Sequence, residues 1–428
     1  NLFVKYTVTP MHLRWFLTNF VPETVVHSKS QDRRIVREHY DRGNDFFEWF
    51  LGERMVYTSA FFENVRGPIL PALARAHGLD YSRLAGFVSA GSIAAFLLSA
   101  SAIRFLASVP LKGFLFAALA AQGAGALLAG LGSGYPALLA AGMLWGGGNT
   151  GISMTGNLLA IRGSTPENRP RVLSLLHISY GLGSTVPPLY VAWAINAGWG
   201  LAPILEGTLL CLAAVAALGF FLPRGEPPRA SSGAAAYGRL AQSRIVTGAL
   251  AITAYVVGEV LVSTWLVSLL TGDAELNLPS ASRRLQAFFL CLAAGRLAAA
   301  LFLSGTSERT VPTLCLVVSA ALVALGLAGF APGYWLCAFV MAPCYPVMLA
   351  AIIRGRTEDS PSILALINAS LTVALALGHL AVGKLADAHG LRAALILSPL
   401  CLLAGAGFWE LRKRCPEAPA KLEPLQTV

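Results

Sequence analysis

Residues 333–353 read GYWLCAFVMAPCYPVMLAAII, 21 residues without one charged side chain. At about 1.5 Å per helical residue such a run is about 30 Å long, the thickness of a bilayer's hydrocarbon core. An amphipathic helix of a soluble protein would show a polar face every third or fourth residue, and this run does not. Working outward, comparable runs recur near 84–103, 113–133, 137–161, 172–196, 201–222, 245–270, 285–303, 311–331, 362–382 and 393–411, parted by short polar or Gly/Pro-marked breaks. These eleven runs predict an all-α, multi-pass integral membrane protein. The composition agrees: of 428 residues, 55% are hydrophobic and 13% charged, with a mean hydropathy of +0.62. That is too apolar for a soluble protein of this length and excludes a disordered chain.

Charge is unevenly spread. Residues 1–66 hold 17 charged side chains and residues 67–428 hold 37, so the chain changes character near Arg66. The first part reads as soluble or interfacial, with no span-length apolar run and no signal peptide; a start upstream of Asn1 is expected. In the second part, alternate loops collect Lys and Arg. Sixteen lie on the side of Arg104, Lys112, Arg162, Arg224, Arg354 and Arg412, against six on the side of Arg83, Arg283 and Lys384. The positive-inside rule then makes the first side, with the C-terminus, cytoplasmic. The net charge of +10 is accounted for by these loops and calls for no nucleic acid. The seven cysteines stand in or beside apolar runs without metal-ligand spacing, so no metal and no disulfide framework is expected.

The loop from Pro223 to Arg244, rich in Pro, Gly, Ser and Arg, divides five runs from six. That layout, together with several short words, resembles the major facilitator superfamily. The words are Gly67-Pro68-Ile69-Leu70-Pro71, Asn157-Leu158-Leu159, Leu175-Leu176-His177 with Gly181, Gly183 and Pro187-Pro188, Gly295-Arg296-Leu297, Ala342-Pro343-Cys344-Tyr345-Pro346, and Gly383 to Arg392. They are most similar to the fucose-permease-like sugar transporters. The resemblance implies a bundle of two halves about a central cavity, here with about eleven transmembrane helices in a 5 + 6 layout and the family's first helix missing. The expected parts are a truncated segment at 1–64, a first half at 67–222, a basic central loop at 223–244, a second half at 245–412 and a tail at 413–428. The loop from Arg104 to Lys112 lacks the Gly-x-x-x-Asp-x-x-Gly-Arg signature usual after the family's second helix.

An ionisable residue inside the membrane costs about 2.5–3.5 kcal/mol even on the lenient insertion scale, so each needs a partner or a function. Glu259 and Arg296 lie about 16–18 Å inside their spans, deep enough to pair across adjacent helices. The pair reads either as a proton-sensitive element or as a fixed structural contact. His177 and His379 read as proton relays or as buried hydrogen-bonding groups. Asn149, Asn157 and Asn368 suit directional contacts to solute hydroxyls or interhelical packing, and Tyr345 joins the candidates through its Pro-flanked word. Pro187, Pro188, Pro343 and Pro346 are candidate kinks.

Upstream, His39-Tyr40-Asp41-Arg42-Gly43-Asn44-Asp45-Phe46-Phe47 and Met55-Val56-Tyr57-Thr58-Ser59-Ala60-Phe61-Phe62 resemble the cyclopropane-fatty-acid synthase and sphingolipid methyltransferase group. In that group the residues matching Tyr57 and Thr58 touch S-adenosylmethionine. Here the Asp-x-Gly-x-Gly strand-turn that holds the cofactor does not follow, so Tyr57 and Thr58 count as vestigial cofactor contacts and no cofactor is expected. The function expected is therefore not enzymatic. It is alternating-access transport of a small solute, a sugar being the class the resemblance implies, with the lipid bilayer as surroundings and a proton or sodium ion as coupling partner. The alternatives are a transport-inactive scaffold or gene-fusion remnant, and a membrane-anchored lipid methyltransferase.

Overall fold

The computed structural model describes residues 43–106, 109–162, 169–222, 242–273, 275–302, 310–354 and 360–415. In the helix segments 43–58, 102–106, 160–162, 169–179, 300–302 and 360–362 only the backbone is described. The chain forms two compact units, residues 1–47 and 48–428. Most of the first unit, most of the basic central loop and most of the tail lie outside the described residues.

Among the described residues every regular element is a helix. In chain order they are α1 (Gly43–His77), α2 (Tyr81–Leu106), α3 (Leu111–Leu131), α4 (Tyr135–Arg162), α5 (Arg169–Asn196), α6 (Leu201–Gly219) and α7 (Ser243–Gly272). There follow α8 (Leu278–Phe302), α9 (Val311–Leu327), α10 (Pro332–Met341), α11 (Cys344–Ile353), α12 (Ser360–His389), α13 (Leu391–Ala394) and α14 (Leu397–Arg414). All eleven apolar runs fall on α2 to α14. The run at 333–353 is broken into α10 and α11 around Ala342 and Pro343, because proline has no N–H to continue the ladder and its ring crowds the carbonyl one turn back. Pro187 and Pro188, read as kinks, sit inside a continuous α5. Among the described residues, seven helical spans are long and apolar enough to cross a membrane.

The structure adds a rod ahead of these runs. With α10–α11 and α13–α14 each counted as one rod, the described helices make six plus six, and α1 supplies the first helix that the sequence words left missing. Its inward face is apolar at helical spacing: Phe62, Val65, Ile69 and Leu73 are fully buried. The Trp145 indole N–H of α4 donates to the Phe62 carbonyl at 3.0 Å, and the two rings meet edge to face. Gly67 lets α1 lie directly on α7, since a Cβ there would fall 2.9 Å from the Thr264 carbonyl oxygen. Similar contact joins α2 to α4 at Gly91 and Gly146.

The halves, α1–α6 and α7–α14, meet along α2 with α12 and α5 with α8. The most apolar stretch of α7 is 61% buried against 22–44% for the other spans, which puts this helix at the centre. On one face, Lys112 of α3 donates to the Phe220 and Leu222 carbonyls just past α6, at 2.7 and 3.1 Å, satisfying acceptors a helix end leaves open. On the opposite face, Arg392 pairs with Asp273 at 3.0 Å and donates to the Leu327 carbonyl, tying together the ends of α7 and α9.

Candidate functional site

A cavity of about 40 Å³ lies between α1, α5, α7 and α8. It has room for about three water molecules in this conformation. Each half contributes an acid and a guanidinium: Glu63 and Arg66 from α1, Glu259 from α7 and Arg296 from α8. Glu63 lies 14 residues before the end of α1, and Glu259 lies 13 before the end of α7. At about 1.5 Å per residue the two carboxylates share a depth of about 20 Å on the corresponding first helices of the two halves.

The local bonds repeat as well. The Tyr180 hydroxyl of α5 donates to Glu63 at 2.9 Å, and the Tyr255 hydroxyl, one turn before Glu259, donates to Glu259 in a short hydrogen bond. Asn64 Nδ2 donates to Ser184 Oγ at 3.0 Å and to the Ala60 carbonyl at 2.9 Å, fixing α1 to α5. Arg66 Nε donates to the main-chain oxygen of Glu63 at 3.3 Å. Ser263 and Thr264 add polar atoms to the wall, while Val260, Phe289 and Leu292 keep part of it apolar. On the lenient insertion scale four such charges cost on the order of 10–14 kcal/mol in hydrocarbon, so facing one another in a shared polar cavity is what makes them tolerable.

Of the residues singled out from sequence, Glu259 and Arg296 meet in this cavity. They act on one another electrostatically across it. Among the described residues neither has an ion-pair partner within 4.0 Å, so the direct pair expected from their depth is replaced by facing positions. His379 is 2% exposed and accepts a hydrogen bond at Nδ1 from the Trp265 indole at 3.1 Å, outside the cavity wall. Tyr345 is half-buried on α11 and does not line the cavity. Asn149 has a buried Oδ1 without a hydrogen-bond partner, whereas Asn157 and Asn368 are exposed and stand apart from the cavity. The side chains of His177, Tyr57 and Thr58 lie outside the described residues.

Sequence reasoning missed Glu63, Asn64, Arg66, Tyr180 and Ser184. The signal was the word Gly67-Pro68-Ile69-Leu70-Pro71: extended backwards as a helix, it carries Glu63 and Arg66 one turn apart into the bundle. No group of three or more His, Cys, Asp or Glu side chains suited to a metal ion occurs among the described residues.

Comparison with known proteins divides along the chain. The Major Facilitator Superfamily profile matches residues 56–343, beginning inside α1, and the mycolic acid cyclopropane synthetase profile matches residues 27–77. Residues near the N-terminus are 58% identical over 52 residues to a sphingolipid C9-methyltransferase of Komagataella phaffii, covering 12% of this chain and 11% of that protein. They are 57% identical over 51 residues to sphingolipid C9-methyltransferase A of Emericella nidulans, covering 12% and 10%. The chain thus spans about a tenth of the length of the curated relatives it matches. Among solved structures, a D-xylose-proton symporter superposes with a TM-score of 0.70 at 14% identity, covering 85% of this chain and 97% of that one. A bacterial homologue of the human lysosomal transporter Spinster, inward-facing and unoccupied, gives 0.68 at 12% identity, covering 88% and 99%. These likenesses show the fold, and the profile match extends over well over half of the sequence. The chain belongs to the major facilitator superfamily.

Proposed function

We propose that this protein moves a small polar solute across a membrane by alternating access, its two six-rod halves rocking about the cavity between α1, α5, α7 and α8. The observation that carries the reading is the placement of Glu63 and Glu259 at one depth on the first helix of each half, facing a shared cavity. A site assembled equally from two rigid halves is exposed to one side or the other by their relative tilt. That the solute is small and polar is supported by the sequence resemblance to sugar transporters and by the symporter among the structural neighbours. Coupling to a proton is assigned to Glu259, whose carboxylate faces the cavity beside Arg296.

The excess of Lys and Arg on the Lys112 face supports a cytoplasmic C-terminus. An even number of rods returns the chain to the face from which the first rod enters, so that rod enters from the cytoplasmic side. The methyltransferase-like stretch overlaps α1, and we read it as serving the bundle rather than methyl transfer by this chain.

Uptake into proteoliposomes holding the full chain tests the proposal, with labelled sugars and labelled amino acids supplied separately. Saturable uptake above empty vesicles is the expected result. No uptake of any solute by protein that unfolds cooperatively would favour a transport-inactive scaffold.

A further inference from the structure

This inference rests on the transport reading and concerns the class of solute. Two features of the cavity remain once its internal hydrogen bonds are assigned. The first is the pair of guanidiniums. Arg66 donates through Nε to a main-chain oxygen, and among the described residues neither Arg66 nor Arg296 has a carboxylate oxygen within 4.0 Å. A guanidinium carries five N–H donors in a planar fork matched to carboxylate and phosphate oxygens. The second is the pair of acids. Glu63 and Glu259 line the cavity from opposite halves, each held by one tyrosine hydroxyl. Two carboxylates sharing a dry site are relieved by a cation or a proton between them.

Charge balance narrows what fits. With two acids and two guanidiniums the cavity is neutral. A lone anion on the guanidiniums draws them from the acids that face them, and a lone cation on the acids does the converse, each adding a net charge to a low-dielectric site. A neutral solute answers neither pair. The geometry points to a zwitterionic solute, with an ammonium group seated between Glu63 and Glu259 and an anionic oxygen group on Arg66 and Arg296. Each end of such a molecule touches both halves, so binding draws α1 and α5 toward α7 and α8. The cavity of about 40 Å³ is small for such a molecule, so loading is expected to widen it.

The test is competitive uptake into proteoliposomes containing the full chain. The zwitterionic probes are a mixture of labelled amino acids with uncharged side chains. The controls are propionate, which lacks the ammonium, ethylamine, which lacks the anion, and xylose, which lacks both. At least one zwitterion enters saturably, and excess propionate, ethylamine or xylose fails to compete. Glu63→Gln and Glu259→Gln each lower zwitterion uptake about tenfold, the loss of one charge-assisted contact, and raise uptake of propionate. Arg66→Gln and Arg296→Gln lower it similarly and raise uptake of ethylamine. A purely structural role would not switch the preferred analogue. Uptake of xylose, propionate or ethylamine by the unaltered protein, with zwitterions neither entering nor competing, overturns the zwitterion assignment while transport stands. Uptake of nothing by folded protein overturns both.

Discussion

Asp387 of α12 caps the first turn of α2 from the opposite half: its two carboxylate oxygens accept the backbone N–H groups of Tyr81 and Ser82, each at 2.9 Å. The first turn of a helix presents N–H groups without intrahelical acceptors and the positive end of its dipole, so a carboxylate there is doubly matched. The helices come together because Gly383, one turn earlier, leaves room for Tyr81 and Ala85. The halves are thus fastened on this face, and opening it requires that the carboxylate release α2.

Replacing Asp387 with Asn removes the charge and weakens the cap by about 0.3–1 kcal/mol, the range for a charge at a helix terminus. The ratio of closed to open states at this face should fall by up to about fivefold. A cysteine introduced at Ser263, on the cavity wall, reports the change through faster reaction with a polar thiol reagent added from the Asp387 side. An unchanged rate would mean that the cap does not hold this face shut.

Gly67→Ala should destabilise the fold by about 1–3 kcal/mol, because its Cβ would lie 2.9 Å from the Thr264 carbonyl, and backbone cannot yield as a flexible side chain does. Gly407→Ala, in α14 with nothing near the added methyl, should be neutral or stabilising by up to about 1 kcal/mol. Thermal unfolding of the two variants in one detergent compares them. Equal midpoints would argue against α1 packing on α7.

Trp265→Phe removes the hydrogen-bond donor to His379 Nδ1, leaving a buried acceptor unsatisfied at a cost of about 1–3 kcal/mol. Trp193→Phe, at a position 56% exposed, should stay within about 0.5 kcal/mol of the parent. Unfolding midpoints check the contrast.

Glu259→Gln keeps the shape of the side chain and its capacity to accept from Tyr255 while removing the titratable charge. Under the proton-coupling proposal, accumulation driven by a pH gradient disappears, whereas exchange of labelled for unlabelled solute falls only by the roughly tenfold loss of binding and recovers at raised solute concentration. Gradient-driven uptake equal to that of the parent would remove Glu259 from coupling.

Most of the fold was legible because about five to seven turns of almost wholly apolar side chains have no other stable setting than hydrocarbon or a large core. Residues 333–353 carried even their break, through Pro343. The first rod was not legible, since Glu63 and Arg66 dilute its hydropathy and its upstream residues carry the pattern of another family. The same cause hid half of the site. Glu259 and Arg296 stood out as charges in apolar runs, whereas Glu63 and Arg66 lay in a segment already rich in charge. Exposure of Asn157 and Asn368 depends on helix rotation, which apolar runs without a polar face do not fix.

The central claim is that two halves, the first begun by α1, rock about one cavity. Spin labels on Arg75 of α1 and Lys384 of α12 report the Asp387 face, and labels on Gly113 of α3 and Leu411 of α14 report the Lys112 face; all four positions are exposed. In a background without native cysteines, distances are measured by pulsed electron resonance with and without transported solute. The account predicts reciprocal change, with one pair separating as the other closes. Distances that stay fixed at both faces, or that move in the same direction, would contradict it.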